Sequence, residues 1–313
     1  MSAERPSSEA SASPCERIGA SDDELLGEDA AAPPRWVRNL AKPVGGRPAL
    51  LLELFIFWMF FQYFSYAQEH IRGGPIESVR HAHELFDLEK TLHIDVELWL
   101  NAGLAAVPPL AIAAGYYYGM VLATVPITLA LVWWFNPQGF RRLRRLLIAT
   151  TLPSLLVFWL LPMAPPRFAV PGVVDINAVY NILGGALARD PSRSANLYAA
   201  MPSLHCAWST WVAYALWETW RHTRPTWARL AWLFPAMTYW NVMATGNHFV
   251  LDIVGGVALF LIALVIVRVV KGAEERVWRD DADSRVGVVA PAVTADAGGV
   301  ATSAASAEPR RGG

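Results

Sequence analysis

Four ionisable residues lie in or beside apolar segments of the chain. They are Arg167, His205, His248 and Asp252. Ionisable groups in segments of this kind are candidates for function, because leaving a charge in an apolar surrounding is costly. A neutral imidazole can act as a nucleophile or as a base, and a guanidinium binds anionic oxygens. The four residues therefore indicate nucleophilic or acid–base chemistry on an anionic group.

The elements that must position these side chains are two helices. Apolar runs at 204–220 and 249–267 place His205 and His248 in the first turns of helices that are expected to run parallel and to start at similar depth. The amino terminus of a helix presents unpaired N–H groups that suit phosphate. Asp252 follows His248 by four residues, a spacing that predicts contact but does not show which ring nitrogen it meets. If Asp252 accepts from one nitrogen, the other is free to attack.

The composition places these helices in a membrane. Of the 313 residues, 54% are hydrophobic and 17% are charged, whereas about 25% are charged in an average soluble domain. The net charge of −1 and the absence of long basic blocks exclude nucleic-acid binding. Cys15 lies in a polar tail and Cys206 in an apolar segment, which predicts neither a shared disulfide nor a metal site.

The apolar runs predict an all-α, polytopic membrane protein with a bundle of six transmembrane helices, since each run approaches the length needed to cross a bilayer. They lie at 50–66, 116–135, 146–163, 204–220, 230–246 and 249–267. The runs are continuously apolar, without the alternation typical of a membrane barrel. A further apolar stretch, 98–114, is interrupted by Asn101, Gly103 and two prolines, and is interpreted as an interfacial or re-entrant piece.

Arginine clusters predict the orientation. Four clusters of Arg and Lys flank the spans on one side, whereas the opposite connections at 68–115 and 164–203 carry few. The positive-inside rule makes the clustered side cytoplasmic. We therefore expect a multi-pass protein of the plasma membrane with both termini in the cytoplasm and the candidate site on the extracytoplasmic side.

The chain divides into one membrane domain and two tails. Residues 1–34 are rich in Ala, Ser, Pro and acidic side chains and predict a disordered cytoplasmic tail. Residues 35–279 form the six-helix catalytic domain, and 280–313 a second disordered tail. The oligomeric state is left open by the sequence.

Three short motifs resemble a known superfamily. The chain contains Ala164-Pro165-Pro166-Arg167, Met201-Pro202-Ser203-Leu204-His205 and Thr245-Gly246-Asn247-His248, with Asp252 four residues further on. These motifs resemble the type 2 phosphatidic acid phosphatase superfamily, and more closely its inositol phosphorylceramide synthase branch, whose likeness extends to the stretch around Glu89. The resemblance covers about residues 48–270.

The resemblance implies phosphoryl transfer without a metal or another cofactor. It implies that His248 attacks phosphorus, that Asp252 orients His248 and that His205 protonates the leaving oxygen. It further implies that Arg167 holds a phosphate oxygen. Asn247 and Ser203 are further candidates for substrate binding, and Ser203 is also expected to cap its helix. The implied partners are a membrane lipid as substrate and either water or a polyol such as inositol as acceptor.

The chain departs from the superfamily pattern at two cationic positions. Leu160 stands where the first motif has a lysine, and Val242 stands where the third motif usually has an arginine. Fewer fixed positive charges suit a singly charged phosphodiester better than a doubly charged monoester. The departures therefore favour headgroup transfer over plain phosphatase action.

Other functions remain open on the sequence alone. The nearest is a lipid phosphatase that cleaves phosphatidate or a polyprenyl pyrophosphate with the same residues. From other classes come a bis-histidine haem protein, which leaves Arg167 and Asp252 without a task, and a scaffold or scramblase, which should tolerate loss of His248. His81 and His83 could bind a metal, but a solvated acidic loop is the better interpretation.

Overall fold

The computed structural model describes residues 47–71, 73–184 and 196–287, with side chains described as far as 270. These residues form helices joined by short connections and contain no strand. The helices are α1 (Leu50–His70), α2 (Pro75–Leu92), α3 (Glu97–Ala105), α4 (Pro108–Phe135), α5 (Pro137–Leu160), α6 (Pro166–Ala169), α7 (Ile176–Val179), α8 (Leu204–Trp220), α9 (Pro225–Leu230), α10 (Leu233–Ala244) and α11 (Val250–Gly287). The predicted tail 1–34 lies outside the described part, and so do residues 288–313 of the second predicted tail, 280–313, whose residues 280–287 continue α11.

Four of these helices are long and apolar enough to cross a membrane: α1, α4, α5 and the first 21 residues of α11. They indicate an all-α, membrane-embedded protein. The other two predicted spans correspond to α8, with 17 residues, and α10, with 12. Helix α8 is at the lower limit of the roughly 17–25 residues that a bilayer-spanning helix needs, and α10 is shorter than that.

Helix α8 occupies the centre of the bundle, with α4, α5, α9, α10 and α11 packed around it. Its residues from Ser209 to Ala215 are all buried. Trp211 is fully buried and donates from its indole nitrogen to the carbonyl oxygen of Leu143 on α5, at 2.9 Å. Because α8 faces protein on most sides, polar residues such as Thr210 are compatible with it.

The stretch 98–114, predicted to be one interfacial or re-entrant piece, is divided between two helices. Its first part is α3, and its second part forms the first turns of α4, which begins at Pro108 and continues to Phe135. Proline is well tolerated in the first turn of a helix, since the missing N–H would have no partner there. The two prolines therefore start a long helix instead of interrupting one.

Ion pairs tie the helices together at one end of the bundle. Arg144 of α5 pairs with Glu53 of α1, and Arg142 of α5 pairs with Glu218 near the end of α8. His205 lies in the first turn of the same α8. Glu218 follows His205 by thirteen positions, which correspond to about 20 Å along a helix, so these pairs lie far from the candidate site.

Helices α8 and α11 approach each other closely at Gly256. A Cβ atom added there would lie 2.2 Å from the carbonyl oxygen of Ser203 and 3.3 Å from the backbone nitrogen of Ala207. Because both are backbone atoms, no side-chain rotation could relieve the overlap. The contact agrees with the close packing expected at a pair of glycines, and it sets the spacing of the two helices that carry the candidate residues.

Candidate active site

His248 lies in a tight connection between α10 and α11, two residues before α11 begins. Gly246 opens this connection with a positive φ of 71°, a conformation that favours glycine. The backbone N–H groups of Asn247 and His248 both donate to the carbonyl oxygen of Val242, at 2.9 and 3.1 Å. The expectation that His248 sits in the first turn of a helix is therefore wrong, because the connection, and not the helix, fixes its backbone.

The ring of His248 is oriented by a backbone carbonyl. Its Nδ1 lies 2.9 Å from the oxygen of Ala200 and 3.4 Å from Oδ2 of Asp252. A carbonyl oxygen can only accept, so Nδ1 carries the proton and Nε2 of the neutral ring keeps a lone pair. Asp252 stands behind the same nitrogen at longer range, where its negative charge favours a proton on Nδ1.

The first N–H groups of α11 are occupied by carboxylates. Asp252 Oδ2 accepts from Phe249 at 2.9 Å, Glu97 Oε1 from Val250 at 2.8 Å and Glu89 Oε1 from Leu251 at 2.7 Å. All three acidic side chains are fully buried. This arrangement corrects the expectation that the amino terminus of α11 would receive phosphate, because the donors are used and the nearby charges are negative.

The amino terminus of α8 retains two N–H groups without a partner among the described residues. Ser203 caps α8: its Oγ lies 3.4 Å from the backbone nitrogen of Cys206, and its own N–H donates to the carbonyl oxygen of Asp252 at 2.9 Å. No hydrogen bond within the described chain uses the N–H groups of Leu204 and His205. Unpaired N–H groups at the start of a 17-residue helix can receive an anion.

His205 faces His248 across the site. The centroids of the two rings are 5.9 Å apart, and the planes are inclined by 53°. On its other side, the His205 ring stacks on Tyr118 of α4, with 4.1 Å between centroids and an angle of 21°. His205 keeps part of its surface exposed, whereas His248 is nearly covered. The two histidines predicted to meet are thus brought together.

Arg167 joins the site through Asn247. Its guanidinium donates to Oδ1 of Asn247, and its Nε lies 3.6 Å from Oδ2 of Asp175. The backbone N–H of Arg167 binds the carbonyl oxygen of Gly246 at 3.0 Å, and Arg167 is close enough to interact electrostatically with His205. Asn247 therefore supports the cation, and Arg167 carries the positive charge beside the two rings.

The described residues include no group of three or more His, Cys, Asp or Glu side chains arranged to hold a metal ion. His81 Nδ1 lies 2.9 Å from the carbonyl oxygen of Pro162, and His83 Nε2 lies 2.8 Å from that of Ala169. The segment expected to be a solvated acidic loop is the helix α2. Its two histidines fasten it to the connection that carries Arg167.

Sequence reasoning missed four contributors to the site. Glu97 was not singled out, and Glu89 entered only through a resemblance that gave it no role. Tyr118 is one of three consecutive tyrosines in an apolar run, so nothing distinguishes it. The carbonyl oxygen of Ala200 is a backbone group and leaves no trace in residue type. For the two glutamates, burial would have been the signal, and composition does not reveal burial.

Comparison with known proteins gives one result. A family model described as PAP2 superfamily matches residues 83–266, which include the whole constellation from Glu89 to Asp252. No curated protein and no solved structure gives a match.

Proposed function

The chain belongs to the PAP2 superfamily, and on that premise we propose that it transfers a phosphorylated headgroup from or to a membrane lipid through a phosphohistidine at His248. Membership supports an enzyme of the phosphatase or phosphotransferase type that acts on lipid phosphates. The observation that carries the finer proposal is the hydrogen bond from Nδ1 of His248 to the Ala200 carbonyl. It leaves Nε2 as the basic nitrogen of a ring whose centroid lies 5.9 Å from that of His205.

The reaction has two steps. In the first, Nε2 of His248 forms a bond to phosphorus, the bond between phosphorus and the leaving oxygen breaks, and His205 gives its proton to that oxygen. In the second, a hydroxyl of the acceptor loses its proton to His205 and attacks phosphorus, and the phosphorus–nitrogen bond breaks. Asp252 stabilises the positive charge that develops on the His248 ring.

The phosphate is proposed to lie at the start of α8. The unpaired N–H groups of Leu204 and His205, together with Arg167, supply positive potential there, while the first N–H groups of α11 are already bound by acidic side chains. Fixed donors that face developing negative charge lower the barrier to phosphoryl transfer. No step requires a divalent cation, so activity should survive chelation.

Two positions favour a phosphodiester over a monoester. Val242, which stands where the superfamily's third motif usually has an arginine, is fully buried among apolar neighbours such as Cys206 and Ile253. Leu160, at the lysine position of the first motif, is 62% exposed at the end of α5. Neither position supplies a cation to a second phosphate charge, which supports transfer of a headgroup to an alcohol such as inositol.

An apolar cavity adjoins the site. It has a volume of about 340 Å³ and is lined by four phenylalanines of α1, one face of α4, Leu147 and Trp208. The Trp208 ring lies 6.5 Å from that of His205, so the cavity begins one helical turn from the reacting groups. A lipid whose phosphate is at His205 could place a hydrocarbon chain there. This supports a lipid as the substrate.

The central test is a panel of substrates. The purified protein is incubated with labelled glycerophospholipids, phosphatidate and prenyl pyrophosphates, with and without inositol, in the presence of EDTA. We expect a phosphodiester lipid to be consumed in an inositol-dependent reaction that chelation does not stop. Release of inorganic phosphate from phosphatidate or a prenyl pyrophosphate, unaffected by inositol, would instead establish the lipid phosphatase. A Soret band in the purified protein would indicate the haem alternative.

We also propose that six helices cross the plasma membrane, with α8 and α10 as the two short spans, and that the site faces outward. Ile76, at the start of α2, is 87% exposed, and Arg141 is exposed at the opposite end of the bundle. In a Cys15→Ser background, Ile76→Cys should react with an impermeant thiol reagent in intact cells. Arg141→Cys should react only after permeabilisation. The remaining cysteine, Cys206, is buried, so labelling of the protein without an introduced cysteine gives the background signal. The reverse labelling pattern would place the site in the cytoplasm.

A further inference from the structure

Two glutamates from separate helices meet at the start of α11. Glu89 lies near the end of α2 and Glu97 in the first turn of α3, and both are fully buried. Each uses Oε1 to accept a backbone N–H of α11: Glu97 from Val250 at 2.8 Å and Glu89 from Leu251 at 2.7 Å. Consecutive residues of one helix are therefore held by side chains more than 150 positions away in the sequence.

The remaining oxygens of this pair lack a donor. Oε2 of Glu89 and Oε2 of Glu97 are both buried without a hydrogen-bond partner among the described residues, yet the two side chains are within hydrogen-bonding range of each other. Two ionised carboxylates cannot bond to each other, and leaving buried acceptors unsatisfied is costly. One proton shared between the two carboxyl groups would give the pair a donor.

We propose that Glu89 and Glu97 form a carboxylic acid–carboxylate pair that keeps one proton and positions the first turn of α11 for the reaction of His248. The proposal rests on the proposed function only for its effect on catalysis. Asp252 belongs to this first turn, and its backbone oxygen binds the N–H of Ser203. A displacement of the turn would therefore move both the carboxylate behind His248 and the cap of α8.

The surroundings of the pair favour a retained proton. Burial raises the pKa of Glu89 to about 9 and raises the pKa of Glu97, and the negative charge of Asp252 acts on both in the same direction. Helices α4 and α10, which pack against α3, contain no Asp, Glu, Lys, Arg or His. On α6, which packs against α2, Arg167 is engaged by Asp175.

The basic side chains of α2 are occupied elsewhere. Lys90 pairs with Asp87 at 3.1 Å and Arg80 with Glu84 at 2.7 Å, all at exposed positions, and the two histidines of α2 bind backbone carbonyls. Among these recorded contacts, none brings a cation to the buried pair. The negative charge of the buried pair is therefore reduced by a bound proton and not by a neighbouring cation.

The first test measures stability against pH and needs no substrate. The folded protein holds a proton with a pKa of about 9, whereas an unfolded glutamate releases it near 4.5. Between these values the folded state binds more protons, so stability must fall as the pH rises. We expect the Tm of the wild type in detergent to decrease from pH 5 to pH 9 and that of Glu89→Gln to decrease less, because the amide cannot ionise. Glu84→Gln, on the exposed face of the same helix, should follow the wild type.

The second test compares a variant that keeps the hydrogen bonds of Glu89 but cannot ionise with a variant that loses them. Glu89→Gln keeps an acceptor for Leu251 and a donor for Glu97, so it should retain most of the wild-type activity at neutral pH and lose less of it at alkaline pH. Glu89→Ala removes both the acceptor and the donor. Because the first turn of α11 is then no longer held in position, kcat should fall by about 10- to 100-fold with little change in KM. If Glu89→Ala fails to fold, Glu97→Gln provides the same pH comparison.

Two results would overturn the proposal: a Tm–pH slope in Glu89→Gln identical to that of the wild type, or a wild-type kcat in folded Glu89→Ala. Failure of the proposed function looks different, since the wild type would then show no transfer activity while its Tm still depended on pH through Glu89. The stability measurement therefore tests the pair even if the substrate assignment is wrong.

Discussion

His248→Ala should lose essentially all turnover, on the order of 10⁴- to 10⁶-fold in kcat, because the reaction loses the atom that bonds to phosphorus. The protein should still fold. His248 is a nearly covered side chain whose ring contributes one hydrogen bond, to the Ala200 carbonyl, and the backbone of the connection is held by Val242. The measurement is steady-state transfer by the purified variant, with thermal unfolding as the check on folding.

His222→Ala provides the matched control. His222 is exposed at the opposite end of α8 from the site, so its replacement should leave kcat unchanged. Asp252→Asn should reduce kcat while retaining binding, since the imidazolium that forms loses its negative partner. Substantial transfer by His248→Ala would remove this histidine from the role of nucleophile and would favour a scaffold or scramblase.

His205→Ala should be impaired in a way that depends on the leaving group. A general acid contributes about 10²- to 10⁴-fold, mostly where the leaving oxygen needs a proton. Against a lipid substrate we therefore expect a loss of that size. Against a nitrophenyl ester of the same phosphate, whose leaving group departs without a proton, most of the loss should disappear. His248→Ala should gain nothing from the activated ester.

The stacking of His205 on Tyr118 supplies a control for this experiment. Tyr118→Phe keeps the ring that lies 4.1 Å from His205, so it should retain the leaving-group dependence of the wild type. If His205→Ala and His248→Ala respond to the activated ester in the opposite order, the two roles are exchanged. If neither variant discriminates between leaving groups, proton transfer by His205 is not part of the mechanism.

The location of helices follows well from the sequence, but their relation to the membrane does not. The apolar run predicted at 204–220 is the helix Leu204–Trp220, with the same limits. Apolarity, however, indicates burial without distinguishing lipid from protein as the neighbour. Helix α8 is buried by other helices, and its composition therefore cannot show by itself whether it spans a bilayer.

Proximity of the site residues was predictable, whereas their hydrogen bonds were not. The spacing of His248 and Asp252 placed them within reach, and the structure gives 3.4 Å. The closer partner of the His248 ring is the carbonyl of Ala200, 48 positions earlier in the chain. Backbone groups become partners only through tertiary packing, so residue types cannot reveal them. The same holds for Glu89 and Glu97, which look like surface residues until α2 and α3 cover the start of α11.

The most direct test of phosphoryl transfer through His248 is to trap and locate the covalent intermediate. The wild type is incubated briefly with the nitrophenyl ester labelled at phosphorus, denatured, and digested for identification of the labelled peptide. We expect an acid-labile, base-stable label on His248, retained in His205→Ala and absent from His248→Ala. A label on Ser203 or His205, or the absence of any label while turnover proceeds, would contradict transfer through a phosphohistidine at His248.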